Sequence, residues 1–281
     1  MSRHLRSVPS PDRRDIRRGR SFLTLEQLAR LTRTANRKEA LVITTPSSPP
    51  PIRIGLSHSN LAVTQSSPPT TISLRSKCPA PYDQGQTSSC TASAVAACRQ
   101  VVAPLAYTPS RLFIYARERQ AEETVLTDSG ADPYDGLEIL QQIGVCPEHC
   151  WPFIPSNLDL VPPNYLNSLA APGKVTSIAR VDPTTEGIKT ALFAGLPVVV
   201  GIVVYSSMMT DDVEKSGQVP IPSGGEQCLG GHAVLLVGFN GSSFEFLNDW
   251  GANWGNSGFG YLPIGYVDAG LVQAAMVISK V

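Results

Sequence analysis

Long apolar runs, an excess of charge and a recognisable export signal are all missing from this 281-residue sequence. It has no run of about 18 apolar residues, which excludes a membrane-spanning helix. The basic N-terminus lacks the apolar stretch of about 7–15 residues found in secretory signals. The compartment therefore stays open, either cytoplasmic or reached by a non-classical export route. Only 16% of residues are charged and 42% are hydrophobic, which excludes disorder of the whole chain.

The formal net charge of zero conceals a basic N-terminal segment. Residues 1–40 carry eleven Arg or Lys against four Asp or Glu, a net charge of +7, which leaves −7 for the remainder. Such a segment can bind nucleic acid, an anionic surface or the chain's own acidic body, or it can stay a solvated arm. Nucleic acid is not the partner we expect.

Composition divides the chain into three zones. Residues 1–40 form the basic segment, and residues 41–72 are rich in Pro and Ser, which predicts an extended linker or strap. Residues 73–281 have a globular pattern without internal repeats. Apolar spacing there predicts helices first, over 89–103, 110–122 and 135–143, then strands over 198–205, 233–239, 243–247, 258–262 and 273–278, with a helix over 185–193. This order predicts an α+β fold of two packed subdomains with an active site at the seam.

A cysteine suited to nucleophilic chemistry lies in residues 83–94. A glycine turn precedes an Ala-rich helical pattern, and Cys90 falls in the first turn of that helix. The unsatisfied N–H groups and the dipole at a helix N-terminus favour a thiolate. The segment therefore predicts an activated thiol.

Two later segments hold possible partners for that thiol. His232 stands at the start of an apolar strand, with Gly231 removing bulk beside it. Asn248 can accept a hydrogen bond from an imidazole, and Trp250 can cover that bond from water. His232 and Asn248 follow Cys90 by 142 and 158 residues. The order Cys, His, Asn predicts a thiol-based catalytic centre.

These residues together resemble the papain-like cysteine peptidases, in particular their compact prokaryotic, xylellain-type branch. Residues 74–85 resemble the start of the family's mature domain, residues 129–133 its Gly-Gly wall for the substrate backbone, and residues 151–153 its aromatic-Pro-aromatic turn. The resemblance covers residues 73–281. It implies a helical left subdomain and a β-barrel-like right subdomain, with the active-site cleft between them.

The resemblance also implies a cysteine endopeptidase that acts on peptide or protein substrates and needs no cofactor. Cys90 would be the nucleophile, His232 the general base and later acid, and Asn248 the residue that orients the imidazole. The Gln84 side chain and the Cys90 backbone N–H would form the oxyanion hole. The thiol pKa would then be strongly lowered. Substrate contacts are expected from Gly130, Ala131, Asp132, Gly231 and Trp250.

Several positions depart from the family pattern. Thr87 replaces a structural cysteine, and Thr91 replaces an aromatic residue next to the nucleophile. Asp249 replaces a small serine and places a carboxylate where it is expected to raise the pKa of the imidazole. Ala131 replaces the second glycine of the wall, and Asp132 beside it would favour basic side chains in the neighbouring subsite. Two alternatives stay open: a papain-fold binding module with weakened catalysis, and a thiol amidase or acyltransferase.

Five further cysteines allow a metal-site or disulfide interpretation: Cys78, Cys98, Cys146, Cys150 and Cys228. The pairs Cys146/Cys150 and Cys228/His232 have zinc-like spacing. A zinc site would leave Gln84 and the Asn248 segment unexplained, so we expect no metal. A Cys146–Cys150 disulfide or plain thiols is the simpler interpretation, and the pairing cannot be deduced from sequence.

The N-terminal residues 1–72 also have a functional interpretation. Papain-like enzymes are usually made with a pro-segment laid across the cleft, so the resemblance implies a zymogen. Residues 41–72 would cover the groove in extended form, and the basic segment 1–40 would dock on the acidic body.

Overall fold

The structure, a computed structural model, describes residues 70–281. The predictions for residues 1–40 and 41–69 lie outside the described residues. The first half of the described chain is mainly helical and the second half is mainly a sheet, which confirms the α+β class. The helices are α1 (Cys90–Val102), α2 (Arg111–Ala121), α3 (Pro133–Gln142), α4 (Leu166–Ala170), α5 (Thr185–Phe193), α6 (Asp211–Ser216) and α7 (Ile264–Asp268), with 3-10 turns at Arg75–Lys77, Pro155–Asn157, Ala171–Gly173 and Ser206–Met209. In residues 70–281 no helix has the length and apolar character needed to cross a bilayer.

Helix α1 is the central helix of the first half and is buried along nearly its whole length. Its alanines and small polar residues let neighbouring elements approach closely on every side. It ends at Val102, just before Pro104, because proline disfavours helical geometry in the residue before it. The predicted range 89–103 is therefore correct to within one residue at each end.

Helices α2 and α3 are both started by side-chain caps. The Ser110 hydroxyl accepts the Phe113 N–H at 3.1 Å, and the Asp132 carboxylate accepts the Tyr134 N–H at 2.8 Å. Pro133 is the first residue of α3, where its missing N–H costs no hydrogen bond. Helix α3 thus begins two residues earlier than predicted, because the Asp-Pro cap was not recognised in the sequence.

The second half forms one antiparallel sheet in the order β2-β7-β3-β4-β5-β6, with β1 paired to β4. Among residues 70–281 the end strands β2 and β6 do not pair with each other, so the sheet is not closed. The strands are β1 (Ile72–Ser73), β2 (Ser177–Arg180), β3 (Val198–Tyr205), β4 (Cys228–Phe239), β5 (Ser243–Leu247), β6 (Phe259–Pro263) and β7 (Val272–Lys280).

Strand β4 is five residues longer at its N-terminal end than predicted. It begins at Cys228, so His232 lies inside the strand, opposite Ile202 of β3, and not at its start. The pairing register shifts near Gly230, which has φ of +140°, a conformation that favours glycine. The extension was not predicted because it contains Gly230 and Gly231, and glycine is depleted in strands.

Both faces of the sheet are covered, which explains the continuous apolar runs in its sequence. In β4, Ala233, Leu235 and Val237 belong to the core shared with α1, whereas Val234 and Leu236 belong to the core on the other face. Successive side chains of a strand point to opposite faces, so each face receives every second residue. The sheet therefore forms a rigid base against which the start of α1 is held.

Candidate active site

Cys90 is the first residue of α1, as predicted, and its side chain is fully buried. Burial raises the pKa of the thiol, the charge of Asp249 raises it further, and the Ala233 backbone N–H lowers it. The expected lowering is thus opposed by desolvation of the thiolate. A thiolate at this position requires a positive charge close by.

His232 and Asn248 form a buried hydrogen bond. The His232 Nε2 and the Asn248 Oδ1 are 2.8 Å apart, and both side chains are almost completely buried. Because the amide oxygen only accepts, Nε2 carries the proton and Nδ1 is the nitrogen that can act as a base. Asn248 therefore selects the tautomer of His232.

Trp250 covers this pair. Its ring stacks on the imidazole with centroids 4.7 Å apart and planes inclined by 26°. Trp254 contacts Trp250 edge-on at 5.3 Å and is itself buried in the sheet core. Trp250 thus packs on the imidazole of His232, the position from which the sequence interpretation expects it to cover the His232–Asn248 bond.

The segment that carries Gln84 is tied directly to the segment after Asn248. The Gln84 N–H donates to the Asp249 carbonyl at 2.9 Å, and the Gly251 N–H donates to the Tyr82 carbonyl at 2.8 Å. The Gln84 side chain is buried, and its amide nitrogen donates to the Thr87 carbonyl. An amide NH₂ has two N–H groups that can donate hydrogen bonds. These bonds hold the turn before Cys90 in place.

Thr87, where the family has a cysteine, fastens that same turn. Its hydroxyl donates to the Gln84 carbonyl at 2.8 Å and lies 2.7 Å from the Ser89 hydroxyl. Ser89 is the N-cap residue of α1 and makes no side-chain cap bond. Hydrogen bonds thus replace the covalent link that the family cysteine would provide.

Thr91, where the family has an aromatic residue, bonds a buried acid that the sequence analysis missed. Its hydroxyl donates to the Glu118 carboxyl at 2.8 Å. Glu118 is fully buried in α2, and burial raises its pKa well above the ordinary value. Arg117 and Arg119 flank Glu118 in the sequence, so no local pattern marks Glu118 as a buried acid. The departure at Thr91 is therefore matched by a partner beneath the nucleophile.

Asp249 lies beside the imidazole on its Asn248 side. Its Oδ1 is 3.5 Å from His232 Nε2, and the residue is only 5% exposed. Burial raises the pKa of Asp249 to about 7, with Ser93 and Arg111 acting to lower it. The carboxyl group that the sequence places near the imidazole is therefore in ion-pair range.

The residues predicted to bind substrate are integrated into the fold. The Gly130 N–H donates to the Tyr115 hydroxyl at 3.0 Å, Ala131 is buried in the core, and the Asp132 carboxylate caps α3. Gly231 pairs with Val203 within the sheet. Their contacts with a substrate stay predictions, and the cap adds a structural role for Asp132.

All six cysteines lie within the described chain and are free thiols there, including Cys146 and Cys150. Cys146 packs in a small cluster with Phe113 and Leu166, far along the chain from the Cys228–His232 strand. Across residues 70–281, no three His, Cys, Asp or Glu side chains converge as metal ligands. The zinc interpretation therefore has no geometric support among the described residues.

The residue order and this geometry agree with a comparison against known families. The model described as papain family cysteine protease matches residues 69–278. The chain belongs to the papain family of cysteine proteases. It is a papain-like cysteine peptidase, and thus a hydrolase.

Individual relatives of this peptidase support the same assignment. It is 39% identical over 215 residues to an uncharacterized peptidase C1-like protein of Acanthamoeba polyphaga mimivirus, covering 71% of this chain and 69% of the relative. It is 32% identical to xylellain, a cysteine protease from Xylella fastidiosa, with a TM-score of 0.70 over 83% of this chain and 94% of that one. This similarity confirms the resemblance to the xylellain-type branch.

A more distant structure shares the fold. A cysteine protease of Carica candamarcensis is 18% identical, with a TM-score of 0.59 over 75% of this chain and 99% of that one. The papain-like fold is therefore retained at low sequence identity.

Proposed function

We propose that this peptidase hydrolyses peptide bonds as an endopeptidase through Cys90 and His232, with Asn248 orienting the imidazole. The observation that carries the proposal is the buried 2.8 Å contact between His232 Nε2 and Asn248 Oδ1, which leaves Nδ1 as the base. Cys90 at the start of α1 is the thiol next to the strand that carries His232, since the adjacent Ala233 N–H acts on that thiol. The same groups serve as base, nucleophile and orienting residue in triads generally.

The proposed reaction proceeds through an acyl-enzyme. The Cys90 proton passes to His232 Nδ1, and the sulfur attacks the substrate carbonyl carbon. The tetrahedral oxyanion accepts hydrogen bonds from the Cys90 N–H and the Gln84 side-chain amide. Collapse breaks the C–N bond, and His232 returns the proton to the leaving amine. His232 Nδ1 then takes a proton from a water molecule, whose oxygen attacks the acyl-enzyme carbonyl carbon. Collapse breaks the C–S bond, releases the acid product and regenerates the Cys90 thiol.

Burial around Cys90 explains why the two residues must ionise together. A lone thiolate is disfavoured in this site, because burial raises its pKa. Transfer of the proton to His232 creates the imidazolium as a counter-charge, and a buried pair of opposite charges is far cheaper than one charge. The reactive state of the proposed centre is therefore an ion pair.

A catalytically weakened binding module, or a thiol amidase or acyltransferase, is the competing interpretation. It rested on the changes at Thr87, Thr91 and Asp249. The first two side chains are hydrogen-bonded in place, which favours an intact nucleophile turn. We therefore retain hydrolysis of peptides as the proposal.

The test is intact-mass labelling with an epoxysuccinyl reagent or iodoacetamide at about pH 6. Ordinary thiols are protonated and react slowly at that pH. We expect one fast adduct that disappears in Cys90→Ala and persists in Cys98→Ala. Cys98 is a matched control, because it lies on the same helix, is fully buried, and has a pKa raised by burial to about 12.

The other outcome is equally informative. A chain that forms no fast adduct, with residues 1–69 present or removed, would refute the Cys90–His232 pair and favour the binding module. A fast adduct without turnover of any peptide in a mixed library would favour the amidase or acyltransferase.

We also propose that residues 1–69 inhibit the peptidase in the full chain, on the basis of their length and the charge of +7 on residues 1–40. Deletion of residues 1–69 is expected to raise kcat/KM for a short peptide about tenfold or more, since removal of a competing occupant raises the fraction of open enzyme. The cut is placed at 69 because Ile72 pairs with Phe239 and belongs to the fold.

A second deletion separates the two zones. Removing residues 1–40 alone should raise the peptidase activity partly. About 0.5 M salt should activate the full chain, because salt screens a charge-driven contact, and it should not activate the chain that lacks residues 1–40. Unchanged or reduced activity of the 70–281 chain, with an unchanged circular dichroism spectrum, would refute inhibition by this segment.

A further inference from the structure

A cluster of buried polar groups lies behind His232. It contains the Tyr82 hydroxyl, the Ser93 hydroxyl, the Asn248 amide nitrogen and both Asp249 carboxyl oxygens. Within residues 70–281 the Tyr82 hydroxyl and the Asn248 amide nitrogen have no hydrogen-bond partner, whereas the Ser93 hydroxyl interacts with the Asp249 carboxyl group. All four residues line one cavity of about 10 Å³, the size of a single water molecule. Unpartnered buried polar groups are rare in folded proteins.

Asp249 is the only acid in this cluster, and it is placed on the imidazole. Two acceptors face the single N–H of His232 Nε2: the Asn248 Oδ1 at 2.8 Å and the Asp249 Oδ1 at 3.5 Å. The amide makes the hydrogen bond, and the carboxylate is in ion-pair range without making one. Because both side chains are buried, the carboxylate acts on the imidazolium with little screening.

We propose that Asp249 is a positioning residue: its carboxylate, beside the Asn248 amide, holds His232 as the imidazolium partner of the Cys90 thiolate. This inference rests on the proposed function of the Cys90–His232 pair. It adds a charge to a centre whose orienting residue is otherwise a neutral amide.

The groups around Asp249 either favour or oppose ionisation of its carboxyl group. The charge of Arg111 in α2 lowers the pKa of Asp249, and the charge of Asp83, in the loop before α1, raises it. Ser93 of α1 acts on Asp249, and Tyr82 lines the same cavity. The imidazolium of His232 would be a full counter-charge 3.5 Å from the Asp249 carboxylate.

The pH range in which the Cys90 thiolate and the His232 imidazolium coexist should therefore depend on Asp249. An ionised Asp249 stabilises the imidazolium and delays its deprotonation to higher pH. It also opposes the Cys90 thiolate, though less at acidic pH, where the carboxyl is itself protonated. In a pH profile of the Cys90 alkylation rate, Asp249→Asn is thus expected to move the alkaline limb to lower pH by about one unit. The acidic limb should move by less.

The experiment measures the pH dependence of Cys90 alkylation by iodoacetamide in the full chain. Wild type, Asp249→Asn, Asp249→Ser and Asn248→Ala are compared with the Asn248→Ala/Asp249→Asn double variant. Asp268→Asn is the matched control, because its exposed carboxylate bonds Thr185 and belongs to α7. We expect the alkaline limb to shift in both Asp249 variants and to stay in place in the control.

The double variant supplies a second readout. If Asn248 and Asp249 support the same N–H, each compensates for loss of the other. The double variant should then lose alkylation rate about tenfold beyond the product of the two single effects. Two Asp249 variants with profiles matching wild type, together with multiplicative single effects, would overturn the inference while leaving the Cys90–His232 pair intact. A wild-type chain that forms no Cys90-dependent fast adduct, with residues 1–69 present or removed, would overturn both.

Discussion

Replacement of Cys90 by alanine is expected to lower kcat/KM for a short peptide by at least about 10⁴-fold, because loss of a nucleophile removes the covalent route altogether. The measurement is initial hydrolysis rate of the chain with residues 1–69 deleted. The fold should persist, since alanine is a good helix former and Cys90 lies in an Ala-rich helix.

Cys98→Ala is the control for this loss. It removes the same side chain two helical turns further along α1, in the same core. We expect unchanged kcat/KM within about twofold, with stability reduced by about 1 kcal/mol for the small cavity. Comparable activity of Cys90→Ala and wild type would refute Cys90 as nucleophile.

Replacement of Asp249 by asparagine is expected to stabilise the protein above neutral pH. The carboxyl has an ordinary pKa of 3.8, and burial raises it to about 7 in the folded chain. Between these pH values the folded state holds a proton that the unfolded state has lost, so the free energy of unfolding falls as pH rises. At about 1.36 kcal/mol per pH unit, the wild type loses up to about 4 kcal/mol by pH 8.

Denaturant unfolding of wild type and Asp249→Asn at pH 4 and pH 8 measures this effect. The two proteins should have similar stability at pH 4, where Asp249 is protonated in the folded state. The variant should be more stable at pH 8, by as much as about 4 kcal/mol and by less where the imidazolium neutralises the carboxylate. A variant that is less stable at pH 8 would show that Asp249 is already fully paired in the folded state.

The expected gain in stability of Asp249→Asn and the expected shift in its Cys90 alkylation profile oppose each other at one residue. A buried carboxylate that destabilises the fold is retained where it can act on His232, and asparagine would improve the fold at the expense of the charge. The combination of higher stability at pH 8 with a displaced pH profile would distinguish this role from a purely structural one.

Local rules were sufficient for much of the helical half. The alanine run before Pro104 located α1 to within one residue, and the Ser110 cap located the start of α2. The order of Cys90, His232 and Asn248 was enough to predict the family, which the comparisons confirm. These features depend on residues close in sequence or on a pattern of residue types.

Features that depend on distant partners were missed. The two-residue strand β1 and the end strand β2 owe their existence to β4 and β7, because neither has an apolar run of its own. Which strands lie at the two ends of the sheet depends on pairing between distant segments, and no single segment encodes it. Glu118 beneath Thr91 joins residues 27 apart, and no local signal pairs them.

The sequence by itself determined the class of chemistry: a cysteine at a helix start, a histidine in an apolar strand, and an asparagine followed by tryptophan. Only the tertiary structure decided the electrostatics of these groups. Burial raises the pKa of Cys90, and the packing of the Asn248–Trp250 segment on His232 brings Asp249 to 3.5 Å from Nε2. Desolvation and charge–charge energies depend on what surrounds a group in space, so residue type and spacing along the chain do not determine them.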